Sequence, residues 1–150
     1  MSLENDIHQP KFRNEYHKMT VNLIYTYNWV QEQSRKFFEK ADLTSQQFNI
    51  LRILRGSGEP LSTLQIRQRM LDKMSDTSRI VDRLLKKGLV EKVICKTDRR
   101  LVDVTISDRG LALLDMLDGF SEEQDSKLHG ITEQEAKTLN DLLDKLRKSD

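Results

Sequence analysis

The sequence predicts a mainly α-helical chain carrying one small β-hairpin, and three observations predict it. Apolar residues recur at three- and four-residue spacing along most of the 150 residues, the period of an amphipathic helix. Start signals precede four of these stretches: Thr44 with Gln47, Ser62 with Gln65, Ser107, and Thr132 with Glu135, and Ser or Thr followed three residues later by Gln or Glu is a capping box. The period switches to strict alternation once, over Val102 to Ile106, the return limb of a hairpin that Leu89-Val90 opens and a tight turn at Thr97-Asp98 folds back.

The first long helix runs from Tyr16 through Thr20, Leu23, Tyr27, Val30, Ser34 and Phe37 to Ala41. A helix of roughly 30 residues reaches about 45 Å, more than a compact chain of this size easily covers. Part of its apolar stripe is therefore expected to pack on another chain. The next helix starts at Thr44, with Leu43 and Phe48 placed as a hydrophobic staple, carries Leu51 and Leu54, and stops at Gly56-Ser57-Gly58. Ser62 opens a third helix, with Leu61 and Ile66 as its staple, and this one is expected to end near Leu71.

A fourth helix is expected from Ser75 to about Lys87. At 100° per residue Ile80, Val81, Leu84, Leu85 and Thr77 fall on one side, with Ser75, Arg79, Asp82, Arg83 and Lys86 opposite. Its apolar face can dock on the two preceding helices, which makes a helix-turn-helix. Gly88 suits the position that ends such a helix. Strands are expected over 89–96 and 101–106, the second with Val102, Val104 and Ile106 facing a helical body and Asp103 and Thr105 facing water. Ser107 then caps a helix carrying Leu111, Leu114 and Leu117, and Thr132 caps a last one carrying Ala136, Leu139, Leu142, Leu143 and Leu146. The fold class is thus a winged helix-turn-helix over about residues 44–106, flanked by dimerisation helices over about 11–41 and 107–148. The alternative for the terminal helices is a closed monomeric bundle.

Charge placement points to the partner. The total is balanced, 25 basic against 24 acidic residues, yet residues 62–100 hold 11 basic and 5 acidic side chains, whereas 101–150 hold 6 and 12. A central positive block attracts phosphate, and the acidic C-terminal third should turn away from it. No apolar run approaches the roughly 20 residues that span a bilayer, and the N-terminus lacks a signal peptide's apolar centre, so a cytoplasmic location without membrane contact is expected. A single cysteine excludes an internal disulfide and a multi-cysteine metal cage.

Three segments carry a family resemblance: Ser78 to Val90 (SRIVDRLLKKGLV), Asp98 to Ser107 (DRRLVDVTIS), and Asp108-Arg109-Gly110 opening the next helix. The chain resembles the MarR family of winged-helix transcriptional regulators, whose usual pattern is an Asp-x-Arg wing, a strand and Leu-Thr-x-x-Gly; here Ile106-Ser107-Asp108-Arg109-Gly110 departs conservatively. The resemblance implies an obligate homodimer binding a pseudo-palindromic operator, usually as a repressor. It also implies that Arg100 enters the minor groove with Asp98 as its partner.

Read by their chemistry, Ser75, Asp76, Thr77, Ser78 and Arg79 supply the small hydrogen-bonding groups and long cation that a helix tip in the major groove needs. Arg79 is the candidate for a guanine edge; Ser75 and Thr77 are candidates for base or phosphate, with an N-cap the alternative for Ser75; Arg83 and Lys86 are candidates for the DNA backbone. Asp76 and Asp82 are unwelcome beside phosphate and are expected to pair with Arg79, Arg83 or Lys86. Arg99 is either a phosphate contact or solvated. The partners expected are double-stranded DNA, a second copy of the chain and a small aromatic effector, for which Tyr16, Tyr27 and Phe48 are the candidate pocket residues. Most aromatics at helical spacing are expected to be core, as is Cys95. No cofactor is expected, and His8, His17 and His129 lack metal-ligand spacing. Enzyme motifs are absent: no Gly-rich phosphate loop, no nucleophile motif and no distinct carboxylate pair. The competing reading is a winged-helix module that binds protein without DNA.

Overall fold

The computed structural model describes residues 2–148. Its elements run α1 (Leu3–Asp6), α2 (Glu15–Glu39), α3 (Ser45–Ser57), β1 (Leu61–Ser62), α4 (Thr63–Arg69), α5 (Thr77–Lys86), β2 (Val90–Ile94), β3 (Val102–Ile106), α6 (Asp108–Asp118), α7 (Ser121–Ser126) and α8 (Glu133–Arg147). The three expected capping boxes form at Thr44, Ser62 and Thr132, each with reciprocal side-chain and backbone hydrogen bonds. Gly58 ends α3 at φ 65° and Gly88 follows α5 at φ 70°, left-handed turns that a side chain would strain.

Helices α3, α4 and α5 pack around Ile50, Leu51, Ile66 and Leu84, all with 0% exposure. Burying a side chain of this size contributes on the order of 1.5–3 kcal/mol, so these four positions hold the lobe together. Leu114 and Leu117 of α6 enter the same cluster. Helix α6 therefore anchors the lobe as well as leaving it. Arg55 of α3 reinforces that anchor by a two-pronged bond to Asp118, at 2.7 and 3.3 Å.

The wing is a three-stranded antiparallel sheet in the order β1-β3-β2, with Val90 opposite Ile106, Ile94 opposite Val102 and Leu61 opposite Val104. Ser107 stitches its base to α6. The Ser107 hydroxyl donates to the Gly88 carbonyl at 2.7 Å and accepts from the Gly110 amide at 3.1 Å. A Cβ on Gly110 would lie 2.3 Å from the Leu89 carbonyl oxygen, so only glycine lets α6 approach the hairpin this closely.

Several expectations need correction. Short β1, α1 and α7 were not foreseen, and α2 is shorter than expected. The wing's apolar face is covered only near its base: Val104 is buried, but Val102 is 47% exposed because the distal hairpin projects past the helices. Aromatic residues on α2 are mostly not core. Tyr16, Tyr25, Tyr27 and Trp29 are exposed, since only the last turns of α2 reach the lobe, where Phe37 is buried. Helix α8 buries no residue at all. The terminal helices therefore do not form a closed monomeric bundle within one chain.

Candidate nucleic-acid interface

Helix α5 begins at Thr77, two residues later than expected, because Asp76 and not Ser75 is its N-cap. The Asp76 carboxylate accepts the Arg79 amide at 3.2 Å and stands 3.7 Å from the Arg79 guanidinium. Asp76 thus restrains the base-reading candidate, as its charge suggested. Asp82 is exposed and makes no ion pair within 4.0 Å among the described residues.

Two candidates turn inward. Ser75 is 9% exposed, and its hydroxyl donates to the Asp72 carbonyl at 2.8 Å, closing the turn ahead of α5. Thr77 is 3% exposed, and its hydroxyl oxygen is buried without a hydrogen-bond partner. It lies on the same face as Ile80, Val81 and Leu84, which is the face that docks. Within the chain, Ser75 thus closes a turn and Thr77 packs, which sets them apart from the other DNA-contact candidates. Ser78, Arg79, Arg83 and Lys86 all remain on the exposed face.

At the hairpin tip, Asp98 and Arg100 form a tight unit. The Arg100 Nε and Nη2 donate to the two Asp98 carboxylate oxygens at 3.1 and 3.0 Å, and the Arg100 amide donates to Oδ1 at 3.0 Å. Those bonds, the side-chain one foremost, hold the Asp98 carboxyl below the usual carboxylate range. The Arg100 side chain is nonetheless 89% exposed, a cation held at a projecting point by one clamp. Arg99 is exposed beside it.

Arg67 and Arg69 of α4 and Lys73 of the following turn are also exposed, next to α5. Sequence reasoning counted them in the basic block without singling them out; their place at the turn before the recognition helix was the available signal. Cys95 is half-buried just beyond β2, with Sγ 3.1 Å from the Thr97 hydroxyl, which holds the thiol below its usual range. The effector candidates are not gathered within the chain. Tyr16 and Tyr27 stand exposed on α2, while Phe48 packs edge-on against Phe37 at 5.8 Å. Among the described residues no group of three or more His, Cys, Asp or Glu could hold a metal ion, and no helix is long and apolar enough to cross a membrane.

A helix-turn-helix with a cationic exposed helix and an arginine-tipped hairpin beside it defines a winged-helix DNA-binding protein. A family model described as the MarR family matches residues 41–101. PecS of Dickeya dadantii, an HTH-type transcriptional regulator, is 31% identical over 110 residues, covering 64% of this chain and 66% of that one. MhqR of Bacillus subtilis, also an HTH-type transcriptional regulator, is 27% identical over 128 residues, covering 84% and 87%. The Bordetella bronchiseptica BpsR structure, described as regulated in its DNA binding by 6-hydroxynicotinic acid, superimposes with a TM-score of 0.76 at 25% identity, covering 85% and 91%. In sequence and in fold the chain is similar to MarR-family transcriptional regulators. These relatives are regulators and not enzymes.

Proposed function

We propose that this regulator is a homodimeric repressor of a pseudo-palindromic operator, released from DNA by a small aromatic ligand. Residues 44–106 form the DNA-binding lobe, and helices within 11–41 and 107–148 join two copies. Helix α5 lies in the major groove, where Arg79 reads a base edge, Asp76 and Ser78 line the helix tip, and Arg83 and Lys86 meet phosphates. Arg100, oriented by Asp98, enters the adjacent minor groove, and Arg99 meets the DNA backbone. The observation that carries this reading is the Asp98–Arg100 clamp, which presents a guanidinium at a projecting hairpin tip on the same chain segment as the cationic face of α5. A planar, pre-oriented cation suits a narrow minor groove of enhanced negative potential.

The dimer follows from the uncovered apolar faces of α2 and α8, and half-sites one helical turn apart follow from a twofold dimer. For the ligand, BpsR offers a relative whose DNA binding a small aromatic acid regulates. Tyr16 and Tyr27 lie on α2, so a pocket using them is completed by the second copy.

Selection of bound duplexes from a random pool, followed by titration at several salt concentrations, tests the reading. The expected result is an enriched inverted repeat, affinity that falls by orders of magnitude between low and physiological salt, and a loss of about tenfold or more for Arg100→Ala with the dimer intact. No enrichment and no salt dependence would instead indicate a protein-binding module.

A further inference from the structure

The turn between α4 and α5 is tightly held, yet it displays two large apolar side chains to water. Leu71 is 88% exposed and Met74 is 92% exposed, higher values than for any other exposed large hydrophobic residue among those described. Hydrogen bonds fix the backbone of the turn. The Leu71 amide donates to the Asn49 side chain at 2.9 Å and the Met74 amide to the Asp72 carboxylate at 2.9 Å. Gln46 holds the other Asp72 oxygen at 3.1 Å, and both the Ser75 amide and hydroxyl donate to the Asp72 carbonyl at 3.3 and 2.8 Å. Met70, immediately before, is 1% exposed and pins the turn to the core. Five hydrogen bonds and one buried anchor thus order a segment whose outward side chains gain nothing from water.

The surroundings select the partner. Arg67, Arg69, Lys73 and Arg79 are exposed on the flanking residues, a cationic border that complements phosphates. Inside that border, the apolar group that a DNA major groove offers is the thymine 5-methyl. We infer that Leu71 and Met74 form an apolar step that reads thymine methyl groups next to the base contacted by Arg79, making them determinants of operator specificity. This inference rests on the DNA-binding reading above. It adds a contact type that the polar residues of α5 cannot supply, and it predicts thymine at fixed positions in each half-site.

The test uses the full chain and the duplex it enriches, with each thymine replaced in turn by deoxyuridine, which lacks only the methyl. Wild type is expected to lose about fourfold in affinity at one or two thymines per half-site, the worth of one buried methyl group. Met74→Ala and Leu71→Ala are expected to bind the unmodified duplex several-fold more weakly and to lose the penalty at their own thymine. Wild-type tolerance of deoxyuridine at every position overturns the inference alone, as does a penalty that both variants retain. A change in the mass of DNA-free Met74→Ala in solution also overturns it, because the step would then be an interface between copies. Failure of wild type to enrich any duplex overturns the DNA-binding reading, and this inference with it.

Discussion

The winged lobe and the terminal helices are built from the same kind of amphipathic segment, but only the lobe covers its own apolar faces. Ile50, Leu51, Ile66, Leu84 and Leu114 have 0% exposure there. Helix α2 has 25 residues and buries only Phe37, while α8 has 15 and buries none. Leu139, Leu142 and Leu146 stand 47%, 57% and 41% exposed on α8, and Tyr16, Ile24 and Tyr27 are more than half exposed on α2. A helical period reports that a face exists and not what covers it. The difference separates a part whose apolar faces are covered within one chain from a part whose apolar faces are not.

That contrast can be broken most forcefully inside the lobe. Leu84→Ala is expected to cost about 3–5 kcal/mol, as fully buried leucines do where the cavity cannot collapse; urea denaturation reads the loss, and a cost of under about 1 kcal/mol would mean the core is not closed. Next in size, Leu139→Asp combined with Leu142→Asp places two charges on a face meant for apolar contact. The dimer dissociation constant should weaken by about 100-fold or more, while the amide NMR spectrum of residues 44–106 is retained. Loss of the lobe spectrum would show that the two parts are not separable.

Thr77→Val sharpens the assignment of faces within α5. Replacing a buried, unpartnered hydroxyl by a methyl should stabilise the lobe by about 1 kcal/mol and leave DNA affinity unchanged; weakened DNA binding would return Thr77 to the interface. The smallest effect concerns α1, which Glu4 ties to Lys18 of α2. Hydrogen bonding from Lys18, foremost, lowers the Glu4 carboxyl to about 2. A depressed carboxyl contributes stability that is present above its unfolded value and lost as pH falls through the folded one. Detachment of α1 is therefore expected as pH drops from about 4.3, the ordinary glutamate value, to about 2, and Glu4→Gln should remove that dependence in amide exchange.

Much of this architecture was legible because local chemistry dictates it. The boxes at Thr44, Ser62 and Thr132 satisfy orphan helix amides whatever the tertiary setting, and Gly88 marks a turn that other residues strain. The interface was less legible because its polar residues have two uses. Ser75 and Thr77 look like groove contacts in sequence, yet tertiary packing assigns one to a turn and the other to the core. Helix α5 starts at Thr77, capped by Asp76, because Ser75 is already engaged with Asp72. The exposed aromatics of α2 were misplaced for a related reason: periodicity counted them as packing, and in one chain they stay partly or largely exposed. The strand Leu61–Ser62 was hidden by its length, since two residues cannot display a period.

The central claim is that α2 and α8 are completed by a second copy while the lobe is complete alone. Sedimentation equilibrium of the full chain at micromolar concentration tests it most directly. The account predicts a species of twice the 17.6 kDa chain mass, with amides of α2 and α8 protected from exchange. A species of single-chain mass whose α2 and α8 amides are equally protected would contradict it.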